Sequence, residues 1–141
     1  MKEFEILEHT ADIGIAAYGK TEKEVFINAA RGMFEIIAGD TRNLKENFAD
    51  KIKLEADNPE GLLFAWLNEL LYISDTKWVI LNRFTIKDLS QNQIRAEIKG
   101  RTIDQLGHKI KREIKAATYH HLEIKKDEES GLWRAQVIFD I

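Results

Sequence analysis

The chain has 141 residues, a formal net charge of −3 and no cysteine. The length suits a single domain, residues 1–141, with a sizeable core. The lack of cysteine excludes disulfides, thiolate catalysis and zinc–cysteine sites, and the acidic balance argues against a general affinity for nucleic acid. No segment resembles a signal peptide or a membrane span, so we expect a cytoplasmic protein with no membrane partner.

Two strands are predicted at the start of the chain, because apolar residues alternate with polar ones over residues 4–6 and 13–19. Between them lies the stretch His9-Thr10-Ala11-Asp12-Ile13-Gly14. A carboxylate beside a histidine, a hydroxyl and a glycine is well placed to bind a ligand. The alternative is that Thr10 and Asp12 only bond the backbone of their own turn.

Two helices are predicted next. Thr21 and Glu24 have the spacing of a capping box, an apolar stripe follows, and Gly39 ends this first helix. Asn58-Pro59 is typical of a second helix start, and residues 61–72 are apolar almost all round, so we expect this helix at the centre of the core. Its predicted core residues are Leu63, Trp66, Leu67 and Leu70.

Alternation predicts the remaining strands. They are expected over residues 51–56, over 79–87 and 94–98 as a hairpin turning at 90–92, over 111–124, and from Trp133 to Phe139. The spacing of Ile110, Ile114 and Ala117 also suits a helix, and residues 101–108 are expected as an irregular connector. These elements predict an α/β (α+β) fold: a two-layer sandwich in which a mixed, mostly antiparallel sheet packs on two main helices.

The last strand ends at Asp140, which is out of phase with the apolar set, and the sequence ends at Ile141. If this end lies near Asp12, two carboxylate side chains and the α-carboxylate of Ile141 converge, and a hard divalent cation would relieve their repulsion. Such oxygen ligands suit Ca²⁺ first, with Mn²⁺ or Mg²⁺ as alternatives. The competing interpretation is an exposed, frayed C-terminus.

Further candidate site residues are His9, Thr118 and His120. On a strand, His120 and His121 would face opposite sides and would not share one metal, and one of them would be a structural hydrogen-bonding partner of Tyr119. Four basic residues form a cluster: Lys109, Lys111, Arg112 and Lys115. This cluster either binds RNA phosphates or an acidic protein, or is a solvated strand edge. Because no phosphate-binding loop, nucleophile elbow or close acid pair occurs, an independent enzyme is hard to build from these residues.

Several blocks together resemble the archease family, in the family's order and over essentially the whole chain. They are residues 9–14, Ala29-Ala30-Arg31-Gly32-Met33-Phe34, Trp66-Leu67-Asn68-Glu69-Leu70-Leu71-Tyr72, residues 113–120 and Val137-Ile138-Phe139-Asp140-Ile141. The resemblance implies a compact α/β sandwich. It also implies that the protein is an accessory, chaperone-like activator of the RtcB-type tRNA-splicing RNA ligase. Such an activator promotes GTP-dependent guanylylation and multiple turnover of the ligase and contacts tRNA only through the ligase.

The family's metal ligands fall on Asp12, Asp140 and Ile141, the last through its terminal carboxylate, and all three positions match. Ala117 stands where valine is frequent in the family, a change of volume only. Two rival functions remain open. One is a metal-dependent phosphohydrolase acting alone at the same carboxylates, which lacks a recognisable base or nucleophile. The other is an RNA-binding or interaction module, which the acidic net charge disfavours.

Overall fold

The computed structural model describes residues 2–8, 12–103 and 110–141. Within these ranges it contains two helices and eight strands. In chain order they are β1 (Phe4–Glu8), β2 (Ile13–Gly19), α1 (Glu22–Ala38), β3 (Phe48–Glu55), α2 (Pro59–Lys77), β4 (Val79–Leu89), β5 (Gln93–Thr102), β6 (Ala116–Ala117), β7 (Glu123–Lys126) and β8 (Trp133–Asp140). No helix in the described ranges has the length and apolar character needed to cross a membrane.

The strands form two sheets, and every pairing among the described strands is antiparallel. One sheet has the order β1-β2-β8-β6, with β7 also pairing with β8, and the other has the order β3-β5-β4. The predicted α+β class with two main helices is confirmed, and the structure divides the strands between two sheets. The order of the first sheet matters most for function, because it places the last strand between an early strand and β6.

Helix α1 begins and ends where the sequence predicts. Thr21 Oγ1 accepts a 3.2 Å hydrogen bond from the N–H of Glu24, and Glu24 Oε2 accepts a 2.5 Å bond from the N–H of Lys20. Gly39 ends the helix with φ +76°, a conformation that favours glycine, and its N–H donates to the carbonyl of Glu35 at 2.8 Å. The two caps therefore satisfy backbone groups that a helix end leaves without partners.

Helix α2 is the central helix. Asn58 Oδ1 accepts a 2.7 Å hydrogen bond from the N–H of Gly61 at its start, and the helix runs five residues beyond the predicted end. Trp66 and Leu70 are both 0% exposed, which confirms the predicted core position. Tyr72, however, is 64% exposed, so the helix is not buried all round. It contacts α1, β3, β4 and β5 on one side and β6 and β7 of the other sheet, so both sheets share its apolar surface.

The two helices are also joined by a buried polar contact. Trp66 Nε1 donates a 3.0 Å hydrogen bond to the backbone carbonyl of Phe26 in α1. The Trp66 ring meets Phe84 of β4 edge-to-face, with ring centroids 6.2 Å apart. This single side chain therefore connects α1, α2 and the second sheet.

Predictions for the other strands hold in part. The hairpin β4–β5 is confirmed, with Ser90 N–H donating to Gln93 O at 2.9 Å, and β3 begins earlier than predicted. The predicted strand over residues 111–124 is wrong for most of its length, since only β6 and the start of β7 are strand there; a helix is absent as well. The N–H groups of Lys111 and Arg112 instead bond the carbonyl of Ile37 near the end of α1, at 2.6 and 3.3 Å.

This docking explains the error, because the last carbonyls of a helix have no partner within the helix and can order an irregular segment. The predicted connector over residues 101–108 is strand at its start, since β5 reaches Thr102. Its later part, residues 104–108, lies outside the described residues.

Candidate functional site

The sheet order brings the start of β2 beside the end of β8. In the β2–β8 pair, Ile13 lies opposite Phe139, and on the other edge of β8, Ala116 lies opposite Asp140. The pairing of β2 with β8 ends there, and continuing the same register by one step would set Asp12 opposite Asp140. Residues directly opposite each other in antiparallel strands have Cβ atoms about 4.5–5.5 Å apart and share one face of the sheet. Two residues separated by most of the chain thus come together at one sheet end.

The burial pattern fits the predicted orientation of these residues. Phe139 is 1% exposed and belongs to the core, whereas Asp140 is exposed and Ile141 is 41% exposed. Asp12 is half-buried, and its Oδ1 atom is fully buried with no hydrogen-bond partner among the described residues. A buried carboxylate oxygen without a partner is costly unless it binds a donor or a cation.

A bound cation would satisfy this oxygen, and the described residues include two other atoms in the same state, Glu60 Oε2 and Asn82 Oδ1. The side-chain donors here are those of the two aspartates, which a free α-carboxylate at Ile141 would join, and oxygen-rich sets of this kind suit Ca²⁺, Mg²⁺ or Mn²⁺. Within residues 2–8, 12–103 and 110–141, no three His, Cys, Asp or Glu side chains are grouped so as to bind a metal ion. A cation here would therefore need the terminal carboxylate, water or backbone oxygens to complete its coordination.

The segment around β6 closes the other side of the strand end. The N–H of Lys115 donates to the carbonyl of Asp140 at 2.8 Å. Thr118 donates twice to the carbonyl of Ile138, from its N–H at 3.0 Å and from its hydroxyl at 2.7 Å. The Thr118 side chain, one of the predicted site residues, thus lies next to β8 and uses its hydroxyl proton to anchor the segment.

His120 lies in a turn, and the expectation that His120 and His121 face opposite sides of a strand is wrong. The centroids of their rings are 4.1 Å apart, with 51° between the ring planes. His121 has φ +52°, and the turn is closed by Leu122 N–H, which donates to Tyr119 O at 3.2 Å. Positive φ ends the alternation of a strand, so neighbouring rings come to the same side. Tyr119 stacks on Phe64 of α2, with centroids 3.9 Å apart.

The remaining predicted residues contribute less. His9 and Lys109 lie outside the described residues. Lys111, Arg112 and Lys115 are exposed but lie on irregular backbone, so the expected strand edge is wrong for them. Arg112 Nη1 is 3.8 Å from Glu8 Oε1 at the end of β1, which places one positive charge near the same end of the sheet.

Asn68 was not among the predicted site residues. Its side chain on α2 bonds both backbone groups of Ala117 in β6: the N–H of Ala117 donates to Oδ1 at 2.9 Å, and Nδ2 donates to the Ala117 carbonyl at 3.2 Å. The available signal was a lone amide in an otherwise apolar helical run, which requires a hydrogen-bonding partner when it is not fully exposed.

Fold and site together define an α+β protein in which antiparallel pairing of an early strand with the last one places an aspartate from each at the same end of the sheet. The model of the "Archease protein family (MTH1598/TM1083)" matches residues 4–141. The protein archease of Methanosarcina barkeri is 40% identical over 144 aligned residues, covering 99% of this chain and 97% of that protein. The protein archease of Pyrococcus furiosus is 35% identical, with 100% of both covered. The chain belongs to the archease family.

Solved structures agree with this assignment. The solution structure of Methanobacterium thermoautotrophicum protein 1598 has a TM-score of 0.83 and 35% identity, covering 100% of both chains. The crystal structure of a Thermotoga maritima protein described as an archease, possible chaperone, has a TM-score of 0.61 at 24% identity, over 96% of this chain and 94% of that one. The second likeness supports the fold alone.

Proposed function

We propose that this protein is an accessory activator, chaperone-like in action, of an RtcB-type tRNA-splicing RNA ligase. It promotes GTP-dependent guanylylation and multiple turnover of the ligase, meets tRNA through the ligase, acts in the cytoplasm and does not catalyse a reaction itself. Membership of the archease family supports this proposal. The observation that carries it is the buried Oδ1 of Asp12, which has no hydrogen-bond partner among the described residues and lies one register step beyond the Ile13–Phe139 pair.

The proposed working part is a divalent-cation site formed by Asp12, Asp140 and the α-carboxylate of Ile141. Ca²⁺ is the first candidate, with Mn²⁺ or Mg²⁺ as alternatives. When bound, the cation neutralises the carboxylates and presents positive charge that suits the phosphates of a nucleotide in the ligase. The protein either delivers the ion to the ligase or stabilises the nucleotide pocket in its guanylylation-competent shape.

The chain's own contribution is to place the carboxylates on a rigid support. β8 pairs with β2 on one edge and with β6 and β7 on the other, so its end has neighbours on both sides. On the β6 side, Lys115 N–H donates to the carbonyl of Asp140 and Ala116 is the register partner of Asp140. On the β2 side, the Ile13–Phe139 pair positions the backbone next to Asp12. Preorganised oxygen ligands lose less entropy when they bind a cation than mobile ones do.

The central test is multiple-turnover RNA ligation with and without this protein, using Asp12→Asn and Asp140→Asn. Both variants keep the size of the side chain and leave the core intact, so we expect normal folding and lost stimulation. Asp50→Asn is the matched control, because Asp50 is an exposed aspartate on β3 of the other sheet. If both site variants melt normally and still stimulate the ligase fully, the carboxylates are not the working site.

Nucleotide hydrolysis measured in parallel, without the ligase, tests the rival phosphohydrolase. We expect no hydrolysis above background from the parent protein. Hydrolysis that disappears in Asp12→Asn would support the phosphohydrolase instead and contradict the accessory role.

One added glycine after Ile141 tests the third ligand. It moves the terminal charge by about 3.3–3.6 Å, which exceeds a Ca²⁺–oxygen bond of about 2.3–2.6 Å. The extended protein should fold normally but bind Ca²⁺ more weakly in a calorimetric titration and stimulate the ligase less. Equal affinity in the two proteins would remove Ile141 from the site and leave the two aspartates.

A further inference from the structure

Asn68 occupies the place that a neighbouring strand would take beside β6. In an antiparallel sheet, a hydrogen-bonded pair exchanges both N–H···O bonds, and the Asn68 amide reproduces this exchange with Ala117 at 2.9 and 3.2 Å. The outer edge of β6 at Ala117 is thereby closed by a side chain of the central helix.

The inner edge of the same short strand bonds the backbone near the acidic end of β8. Lys115 N–H donates to Asp140 O, and Thr118 N–H donates to Ile138 O. β6 itself has only two residues, and so few ladder bonds give little stability alone. The segment from 115 to 118 thus depends on contacts from both sides, with α2 on one and β8 on the other.

We propose that Asn68 is a positioning residue for the acidic end of β8. By binding Ala117 it orders residues 115–118, and through them it fixes the backbone that carries the carboxylate of Asp140. The inference rests on the proposed function in one respect, namely that this carboxylate binds a cation. The effect on the backbone requires no cation.

Asn68→Asp is the informative variant. The substitution keeps the shape of the side chain, but it removes the N–H donor and places a carboxylate against the Ala117 carbonyl. Asn28→Asp is its matched control. Asn28 is a buried amide on α1, and its Nδ2 donates a 2.6 Å hydrogen bond to the carbonyl of Tyr18. Tyr18 lies near the end of β2 opposite to Ile13, so this bond is remote from the acidic end of β8. Both variants lose one donor to a backbone carbonyl, so both are expected to lower the melting temperature.

Two measurements separate the variants, each made well below the melting temperature. Amide hydrogen exchange of Lys115 and Thr118 should become faster by about tenfold in Asn68→Asp, the effect of losing one hydrogen bond, and stay unchanged in Asn28→Asp. Calorimetric titration with Ca²⁺ should show affinity about tenfold weaker for Asn68→Asp only. If Asn68→Asp fails to fold, Asn68→Ser replaces it, because serine is too short to make both bonds and adds no charge.

The outcomes are distinct. Three results would each overturn the positioning role. The first is unchanged exchange of Lys115 and Thr118 in Asn68→Asp, and the second is unchanged Ca²⁺ affinity in that variant although its exchange has become faster. The third is an equal loss of Ca²⁺ affinity in Asn28→Asp. If the parent protein itself binds no Ca²⁺, Mn²⁺ or Mg²⁺, the proposed cation site fails. Exchange at Lys115 and Thr118 then decides the role of Asn68 alone: faster exchange confined to Asn68→Asp supports it, and parental rates refute it.

Discussion

Leu70→Ala is expected to destabilise the protein strongly, because Leu70 is 0% exposed on the helix that both sheets share. Removing three carbon atoms, at about 0.8 kcal/mol each, costs about 2.4 kcal/mol. A cavity of about 60 Å³ left open adds about 1.4 kcal/mol at about 24 cal/mol per Å³. The sum is about 3.8 kcal/mol. Because α2 is enclosed by α1 and by strands of two sheets, the surroundings of Leu70 can collapse little into the cavity. The expected loss in free energy of unfolding is therefore nearer about 3.8 than about 2.4 kcal/mol.

The free energy of unfolding is measured by urea denaturation of the parent and the variant, followed by circular dichroism. Tyr72→Ala is the control, because Tyr72 lies two residues further along the same helix but is 64% exposed. We expect the control to lose no more than about 0.5 kcal/mol. The melting temperature of Leu70→Ala should fall by about 8–15 °C, at about 2–4 °C for each kcal/mol. A loss below about 1 kcal/mol, with the same dependence on urea as the parent, would contradict the assignment of α2 as the centre of the core.

Two further predictions concern the ends of α2. Asn58→Ala removes the oxygen that accepts from Gly61 N–H and should lower the free energy of unfolding by about 1 kcal/mol in the same urea experiment, whereas no change would mean that the cap is replaced by water. Asp75 is exposed as a residue, but partial desolvation of its carboxyl group, and then the charge of Glu113, raise its pKa above the usual value. An acid with a raised pKa in the folded state costs stability when it is ionised, so stability falls as pH rises above the unfolded value. Asp75→Asn should therefore melt slightly higher than the parent at pH 7, and this advantage should shrink as the pH falls towards 4 and disappear by about pH 3, where Asp75 is neutral in both states. An advantage that persists at low pH would show that charge is not the cause.

The sequence by itself determined the elements whose signals are local. The caps at Thr21 and Asn58, the glycine at 39, the β4–β5 hairpin and the alternation of β8 each depend on contacts within a few residues, and the structure has them where the pattern predicts. The same patterns predicted Trp66 and Leu70 in the core, because a helix that is apolar on several faces has to be surrounded. Resemblance to a family, carried by blocks along the whole chain, supplied the family assignment that the comparisons confirm.

Local patterns failed where the backbone bonds a distant element. The strand predicted over residues 111–124 does not form at its start, because the carbonyl of Ile37 at the end of α1 accepts the N–H groups of Lys111 and Arg112 instead. His120 and His121 were expected on a strand, but the positive φ of His121 places them in a turn. Neither the partner of Asn68 nor its distance could be predicted, since Ala117 lies 49 residues away.

The candidate site is the clearest case of a feature that only the tertiary structure decided. Asp12 and Asp140 each stand next to a predicted strand, and either could have ended in solvent. Their proximity follows from the pairing of Ile13 with Phe139, which depends on the order β1-β2-β8-β6. Sheet order is set by which apolar faces pack together across the whole chain, so residue types and spacing near each aspartate carry no information about it. The sequence alone supplied two carboxylates at strand ends, and the packing of the sheet brought those two ends together.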